Sequence, residues 1–169
     1  GAVGINLEDV TGDDATTQVS VEQQTEIIRR IRSAVPHLVV NARTDIFLIG
    51  IGEEKSRMSR TIERLNAYRQ AGAQCVFAPG LRDSKLIAEL VAGVDAPLNI
   101  LAGPGFPDLQ TMKKLGVKRV SLGSGPMRAC MGLVTKIAQE LQNSGTYQAI
   151  TEGQYVYAEA NRLFERTTS

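Results

Sequence analysis

The sequence has few of the residues that thiolate and imidazole chemistry require. Its 169 residues include two cysteines, one histidine and no tryptophan. Cys75 and Cys130 lie far apart, at no spacing typical of a zinc site or a redox motif, and two thiols do not make a disulfide framework. We therefore interpret both cysteines as packing residues.

The single histidine excludes further classes of site. His37 stands between a predicted helix and the start of a predicted strand, away from the strand ends at which polar residues collect, so we assign it no catalytic role. Without a histidine at those ends, a Ser-His-Asp triad and a histidine-ligated metal are excluded for this chain. Any metal should be a hard ion with oxygen ligands, such as Mg²⁺.

Charge of one sign and long apolar runs are lacking too. The 19 lysines and arginines nearly balance the 18 aspartates and glutamates, so no overall field draws the chain to nucleic acid or to an anionic membrane. No apolar run approaches the roughly 20 residues that span a bilayer, and the start, Gly1 to Gly4, lacks the features of a signal peptide. We expect a cytoplasmic protein whose partner is a small molecule bound at a local site.

What the sequence does contain is a regular alternation of two patterns. Short apolar runs rich in β-branched residues predict buried strands, and the stretches between them have the spacing of amphipathic helices. Strands joined by helical crossovers imply a parallel sheet with both faces covered, so the predicted fold class is α/β. The predicted strands are Ala2–Leu7, Leu38–Ala42, Gln74–Ala78, Leu98–Leu101 and Val117–Leu122, and the predicted helices between them are Val21–Val35, Glu53–Ala71, Ser84–Val94 and Asp108–Leu115.

Polar and glycine-rich residues follow every predicted strand, which is the layout of the catalytic face of a parallel barrel. An open doubly wound sheet shares the alternation, but no Gly-x-Gly-x-x-Gly follows the first strand. A complete TIM-type (β/α)8 barrel has about 250 residues and eight strands. Because the chain starts directly on a strand, we interpret it as the later part of such a barrel, with about three strand-helix units absent.

Two more helices are predicted after the last strand. Pro126–Leu141 carries a proline in its first turn, and Thr151–Phe164 opens with Thr151 as N-cap. We predict a partial barrel over residues 1–145 and a C-terminal helix within residues 146–169. That helix packs on its own barrel or reaches a neighbouring subunit, and we expect a homo-oligomer, a dimer or a tetramer.

Polar residues at two neighbouring strand ends are the first candidates for chemistry. Glu8 and Asp9 place two carboxylates at the mouth of the sheet, where a metal or a cationic group offsets the cost of burying charge. A helix-capping aspartate beside a salt-bridged glutamate would give the same pattern. Arg43 presents a planar guanidinium suited to a substrate carboxylate or phosphate. Its alternative partners are Asp45, two residues on, and Glu8 on the neighbouring strand.

The last two predicted strands supply the remaining candidates. Asn99 lies inside an apolar run, where an unsatisfied amide costs about 1 to 3 kcal/mol, so it needs a ligand carboxylate or a neighbouring backbone group. Gly123 and Ser124 lead from the last strand into a helix start, which exposes N–H groups to an anion. Barrels often bind phosphate after strands seven and eight. The glycines of this segment would also suit a tight turn.

Six motifs occur in order along nearly the whole chain. They are Gly1–Asp9, Asn41–Asp45, Ala71–Ala73, Phe77–Leu81, Pro97–Asn99 and Leu115–Gly123. In order and spacing they resemble strands four to eight of the isocitrate lyase and phosphoenolpyruvate mutase superfamily, and most of all its phosphonomutase-like branch. The resemblance therefore implies the later part of a barrel enzyme.

The resemblance also implies an activity and roles for individual residues. In that superfamily Mg²⁺ binds the 2-oxo acid or enolate end of a small dicarboxylate or phosphonate, and a pyruvate-type enolate is stabilised while a C–C or P–C bond breaks or forms. Carried over by motif, Glu8 would belong to the metal shell through water, Arg43 would bind the substrate carboxylate, and Asn99 would line the same pocket. The expected function is a carbon–carbon lyase or a phosphonomutase-like enzyme.

Departures from the superfamily pattern limit that expectation. The aspartate-rich metal motif lies on strand three of the superfamily, before Gly1, and the cysteine-containing loop of the lyases is replaced by residues 11–17, which include no cysteine. Isocitrate-type cleavage is therefore disfavoured. Two alternatives stay open: an inactive barrel fragment that binds a small anion or serves as an assembly unit, and a phosphate-binding barrel of another family built on Gly123 and Ser124.

Overall fold

The computed structural model describes residues 1–11 and 17–165. The chain divides into two compact units, Gly1–Gly123 and Ser124–Ser169. The predicted domains, 1–145 and 146–169, remain a prediction, and the compact units divide earlier, just before a long helix. Residues 12–16, the middle of the segment that replaces the lyase loop, lie outside the described residues.

The first unit is built on a parallel five-stranded sheet with the strand order β1-β4-β5-β6-β7. The α/β class is thus confirmed, and each of the five strands lies within a residue or two of its prediction. A two-stranded antiparallel hairpin, β2-β3, was not predicted. The strands are β1 (Gly4–Glu8), β2 (Val10–Thr11), β3 (Thr17–Gln18), β4 (Val39–Arg43), β5 (Cys75–Phe77), β6 (Leu98–Leu101) and β7 (Arg119–Ser121).

Four helices join the strands, and local capping explains where they begin. Ser20 and Gln23 form a capping box, and the carboxylates of Asp83 and Asp108 accept main-chain N–H bonds at the next helix starts. Gly116 ends the last of these helices in a left-handed conformation, which glycine adopts without strain. The helices are α1 (Val21–Ala34), α2 (Glu54–Gln70), α3 (Ser84–Gly93) and α4 (Leu109–Leu115).

The core of this unit lies between one face of the sheet and the helices. Alternate strand residues such as Val40, Val76 and Ile100 point into it and are fully buried. The opposite face, called the polar face below, carries polar side chains together with Cys75 and Phe77. Its central residues are buried, as expected for a sheet with both faces covered, whereas Glu8 and Arg119 on the outer strands are exposed. Alternation along each strand places Asn6, Glu8, Asn41, Arg43, Asn99, Arg119 and Ser121 on that polar face.

The second unit contains α5 (Gly125–Ser144), a short 3₁₀ helix (Gln148–Thr151) and α6 (Tyr157–Arg162). Thr151 was predicted to be the N-cap of the last helix, and this prediction is wrong. Its hydroxyl donates to the Gln148 carbonyl at 2.7 Å, within the 3₁₀ turn, and Val156 precedes α6 instead. Cys130 on α5 is exposed, so its predicted packing role is wrong, whereas Cys75 is buried. Among the described residues, no helix has the length and apolarity needed to cross a membrane.

Candidate active site

One row of side chains crosses the sheet. Glu8, Arg43 and Phe77 are the last residues of β1, β4 and β5, whereas Asn99 is the second residue of β6 and Arg119 is the first residue of β7. The strand register pairs Glu8 with Arg43, Arg43 with Phe77, Phe77 with Asn99, and Asn99 with Arg119. Neighbouring strands lie about 4.8 Å apart, so the row from Glu8 to Asn99 spans about 14 Å. The structure therefore brings three predicted residues, Glu8, Arg43 and Asn99, into one row, while their chemical roles stay predictions.

Arg43 is held by two carboxylates and one aromatic ring. Its Nε donates to Asp45 Oδ1 at 2.7 Å, and its Nη1 donates to Glu8 Oε1 at 2.8 Å. The guanidinium carbon lies 5.6 Å from the centre of the Phe77 ring. Both alternative partners that the sequence offered are thus used at once. Among the residues that the structure describes, no acceptor is bonded to Nη2 of Arg43.

The two carboxylates that hold Arg43 differ in exposure. The Asp45 side chain is 5% exposed, whereas the Glu8 side chain is 46% exposed. An exposed ion pair contributes little to stability and is easily exchanged, while a buried partner is fixed by the packing around it. Asp45 therefore orients the guanidinium, and Glu8 is the partner that another anion can replace.

The Asp9 carboxylate was predicted to point to the mouth of the sheet, and this prediction is wrong. Its side chain is fully buried, and four donors surround its carboxylate. Arg64 Nε and the Tyr68 hydroxyl, both on α2, donate to Oδ2 at 2.9 and 2.8 Å. Gln18 Nε2 donates to Oδ2 at 3.1 Å, and the Asp45 amide donates to Oδ1 at 3.2 Å. Asp9 is thus a buried partner of α2 and not a free carboxylate at the site.

Asn99 is fully buried, and neighbouring side chains satisfy its amide. Ser121 Oγ lies 3.0 Å from Nδ2 and 3.1 Å from Oδ1 of Asn99. In the amide orientation that matches donors to acceptors, the oxygen of Asn99 accepts from Arg119 Nη1 at 3.0 Å. The predicted partners were a ligand carboxylate or a backbone group. The structure supplies the side chains of Ser121 and Arg119 and, in the same orientation, the Arg119 carbonyl, which accepts from the Asn99 amide at 3.1 Å.

Sequence reasoning missed Arg119 and Ser121. Both point to the same face as Asn99, because residues two apart along a strand share a face. That alternation in the segment Arg119-Val120-Ser121 was the signal that could have identified them. Arg119 places a second guanidinium at the far end of the row that begins at Glu8.

A cavity of about 330 Å³ lies on the polar face toward the amino ends of the strands. Its lining includes Asn6, Asn41, Cys75 and Arg119. Asn41 Nδ2 donates to Asn6 Oδ1 at 2.7 Å, and Oδ1 of Asn41 has no partner among the described residues. Burial raises the pKa of the Cys75 thiol, so this cysteine stays protonated and acts as a packing residue.

Gly123 and Ser124 stand on either side of the division between the two units. Gly123 has φ of 55° and closes the first unit, in a left-handed conformation that favours glycine. Ser124 precedes α5 and makes no side-chain capping bond. Their anion-binding role stays a prediction.

The described residues do not by themselves fit a Mg²⁺ site. No group of three or more His, Cys, Asp or Glu side chains in the described part of the chain is placed to hold a metal. Glu8 supplies a single carboxylate, and Arg43 already neutralises it at 2.8 Å. The predicted contact of Glu8 to a metal through water therefore needs further metal ligands, which the described residues do not provide.

The parallel five-stranded sheet and its crossover helices place the molecule in the α/β class, in which ligands often bind at the carboxyl ends of the strands. A family model described as phosphoenolpyruvate phosphomutase matches residues 1–142. The chain belongs to this family, and with it to the phosphoenolpyruvate mutase and isocitrate lyase superfamily, as the motifs predicted. The match argues against the alternative of a phosphate-binding barrel from another family.

Similar proteins span several activities. An uncharacterized protein of Mycobacterium tuberculosis (strain ATCC 25618 / H37Rv) is 33% identical over 126 residues, which are 75% of this chain and 46% of that protein. The 2-methylisocitrate lyase of Escherichia coli (strain K12) is 26% identical over 165 residues, 90% of this chain and 53% of that enzyme. The chain thus spans about half the length of the curated relatives that it matches.

Solved structures share the fold. A Burkholderia cenocepacia J2315 protein named for a lyase or mutase activity superposes with a TM-score of 0.84 at 34% identity, covering 99% of this chain and 60% of that protein. A phosphonopyruvate hydrolase, solved with oxalate and Mg²⁺, has a TM-score of 0.76 over 96% of this chain and 59% of its own. Its identity of 23% shows the fold alone.

Proposed function

We propose that the protein is a carbon–carbon lyase or phosphonomutase-like enzyme that acts on a small 2-oxo or enol carboxylate. The observation that carries this proposal is the Arg43 guanidinium, which is oriented by Asp45 at 2.7 Å and shares its other side with the replaceable Glu8. Such a guanidinium is suited to binding a planar carboxylate through two parallel hydrogen bonds. Family membership supplies the reaction class.

The proposed chemistry is stabilisation of a pyruvate-type enolate. A fixed guanidinium costs no reorganisation when negative charge develops on the substrate, so it stabilises the enolate more than the same group would in water. An incoming carboxylate competes with Glu8 for the Nη atoms of Arg43, which leaves the Asp45 contact in place. Asn99 and Gly123 are proposed to line the same pocket.

We also propose that the whole protein uses Mg²⁺, with Glu8 in contact with the ion through water. When bound, the metal would act as a Lewis acid toward the oxygen atoms of the enolate. The described residues supply one carboxylate for it, so this part of the proposal extends to a complete (β/α)8 barrel in which the chain forms the later strands.

The remaining proposals concern the setting of the enzyme. Exposed apolar residues on α5 and near α6, such as Met131, Val134 and Phe164, support a homo-oligomer formed through the second unit. We propose a cytoplasmic dimer or tetramer, and light scattering of the purified protein checks the assembly: a monomer at all concentrations would contradict it.

The activity is tested with the chain and with the complete open reading frame that encodes it. Each is incubated with Mg²⁺ and a panel of four- to six-carbon hydroxy-dicarboxylates, oxaloacetate and phosphonopyruvate, and pyruvate formation is followed with a coupled dehydrogenase. In parallel, calorimetry measures oxalate binding. We expect Arg43→Ala to weaken oxalate binding by about tenfold to a hundredfold, the effect of losing charge-assisted hydrogen bonds.

The matched control is Arg29→Ala, which removes an exposed arginine whose one ion pair within the described residues is a 3.7 Å contact to Glu26. This variant should bind oxalate as the unchanged protein does. Absence of turnover on every substrate, together with equal oxalate binding by Arg43→Ala, would refute the proposal. Oxalate binding that depends on Arg43 without any turnover would favour the alternative of an inactive protein that binds a small anion.

A further inference from the structure

A buried cluster of polar side chains is linked to the Arg43 site through one hydrogen bond, from the main-chain amide of Asp45 to Asp9. The Tyr68 hydroxyl donates to Asp9 Oδ2 at 2.8 Å, and Arg64 Nε donates to the same atom at 2.9 Å. The other carboxylate oxygen, Oδ1, accepts from the main-chain amide of Asp45 at 3.2 Å. Asp9 and Tyr68 are fully buried, so water does not compete for these bonds.

We propose that Tyr68 and Arg64 are positioning residues for Arg43. They fix the carboxylate of Asp9, Asp9 holds the main chain of Asp45, and the carboxylate of Asp45 orients the guanidinium. The proposal rests on the proposed function in that Arg43 is taken to bind the substrate. The positioning itself is a property of the protein without ligand, so it can be measured independently.

Each hydrogen bond of the cluster has a fixed donor and a fixed acceptor. Burial, and next the charge of Asp9, raise the pKa of Tyr68 well above its ordinary value, so its hydroxyl remains a donor. Arg64 Nε–H is shared between Asp9 Oδ2 and the oxygen of the Tyr68 hydroxyl, each at 2.9 Å. With Tyr68, Arg64 and Gln18 all donating to Oδ2, the carboxylate plane is set, and Oδ1 is left for the amide of Asp45.

A second path from the same cluster leads to the residue that precedes Asp45. Gln18 Nε2 donates to Asp9 Oδ2 at 3.1 Å and lies 3.2 Å from the hydroxyl oxygen of Thr44. Thr44 and Asp45 are both buried and directly follow Arg43 in the chain. The segment after β4 is therefore tied to Asp9 at two consecutive residues, which limits how far the Asp45 carboxylate can move away from Arg43.

The test uses the Arg43 Nε–H resonance in the full ¹⁵N-labelled chain, assigned by its loss in Arg43→Lys. A proton held by a carboxylate at 2.7 Å should exchange slowly with water. We expect Tyr68→Phe to raise its exchange rate by about fivefold, which corresponds to the loss of one net hydrogen bond. If the complete enzyme proves active, the same variant should raise KM for the carboxylate substrate more than it lowers kcat.

The matched control is Ile87→Val, which removes a methylene from the fully buried core on α3 and touches none of these polar groups. It should lower global stability without changing the Arg43 exchange rate. Equal rates in Tyr68→Phe and the unchanged protein, or equal increases in Tyr68→Phe and Ile87→Val, would overturn the proposal.

Should Tyr68→Phe fail to fold, Gln18→Met takes its place, because it also removes one donor from Asp9 Oδ2 and lies in a less buried position. The same increase in Arg43 exchange is expected, and an unchanged rate would overturn the proposal. Since this readout requires neither ligand nor turnover, failure of the proposed function leaves the result interpretable.

Discussion

Two polar clusters lie side by side in the first unit and differ in almost every physical respect. The closed cluster consists of Asp9, Arg64 and Tyr68, with an arginine and aspartate ion pair whose side chains are 9% and 0% exposed. The open cluster consists of Glu8, Arg43 and Asp45, and its glutamate is 46% exposed. Glu8 and Asp9 are thus adjacent in sequence, yet the side chain of one is exposed and that of the other is buried. Burial, and not residue type, separates a carboxylate that stabilises the fold from one that is free to exchange partners.

The largest expected effect comes from breaking the closed cluster. Asp9→Ala leaves Arg64 buried without its carboxylate, and breaking a buried pair in this way costs about 3 to 5 kcal/mol of the free energy of unfolding. Urea denaturation measures the loss. Glu8→Ala, one residue away in the open cluster, is the matched control and should cost less than about 1 kcal/mol. Similar losses in the two variants would remove the distinction between the clusters.

A smaller effect should separate the clusters by their response to salt. Double-mutant cycles for Glu8 with Arg43 and for Asp9 with Arg64 measure each coupling energy by denaturation. The Glu8 coupling should be below about 1 kcal/mol and should weaken when the ionic strength is raised to about 1 M, where the screening length is about 3 Å. The coupling of the buried pair should hardly change. A salt-sensitive Asp9 coupling would mean that water reaches the closed cluster.

The smallest expected effect tests whether burial or the number of bonds matters more. Glu140, in the second unit, accepts bonds from the Thr146 hydroxyl and from the Gln148 and Ala149 amides, much as Asp9 does, yet it lies near the surface. The Thr146 hydroxyl, followed by the two amides, lowers the pKa of Glu140. Its contribution is therefore present above the unfolded-state pKa and is lost as the pH falls through the folded-state value.

Amide resonances of Gln148 and Ala149 measure this loss. Between about pH 6 and about pH 3 they should shift as the carboxylate takes up a proton, and Glu140→Gln should abolish the shift. A shift that persists in Glu140→Gln would assign the transition to another group. Global unfolding over the same range should be little affected, because surface carboxylates contribute little to stability.

Local patterns predicted much of the fold. Strand and helix periodicity placed the five strands of the main sheet and the four helices of the first unit close to their observed positions. The hairpin β2-β3 was missed because two-residue strands show no periodicity. In the second unit, Thr151 was misassigned because a threonine hydroxyl can bond within a preceding turn as easily as it can cap a following helix.

The sequence predicted which residues belong to the candidate site, but it did not predict which other residues they contact. Glu8 and Arg43 could be grouped because the strand ends of a parallel sheet meet at one edge, whereas Asn99, which lies within β6, was placed with them by the resemblance to the superfamily. The burial of Asp9 depends on Arg64 and Tyr68, which are 55 and 59 residues away in sequence. No spacing rule connects a strand end to one particular face of a helix more than 50 residues later, so packing alone decided the position of that carboxylate.

The order of the strands in the sheet affects how the purified protein should be handled and how it can associate with other chains. Among the described residues, β1 and β7 each pair with a strand on one side only, so each presents a row of main-chain N–H and C=O groups along its outer edge. Such edges act as templates for pairing with another strand, whether from the same polypeptide, a second copy or a misfolded neighbour. Samples of this chain should therefore be kept dilute, and mutations that add charge along the outer edges of β1 and β7 would favour recovery of well-behaved protein over fibrous aggregates.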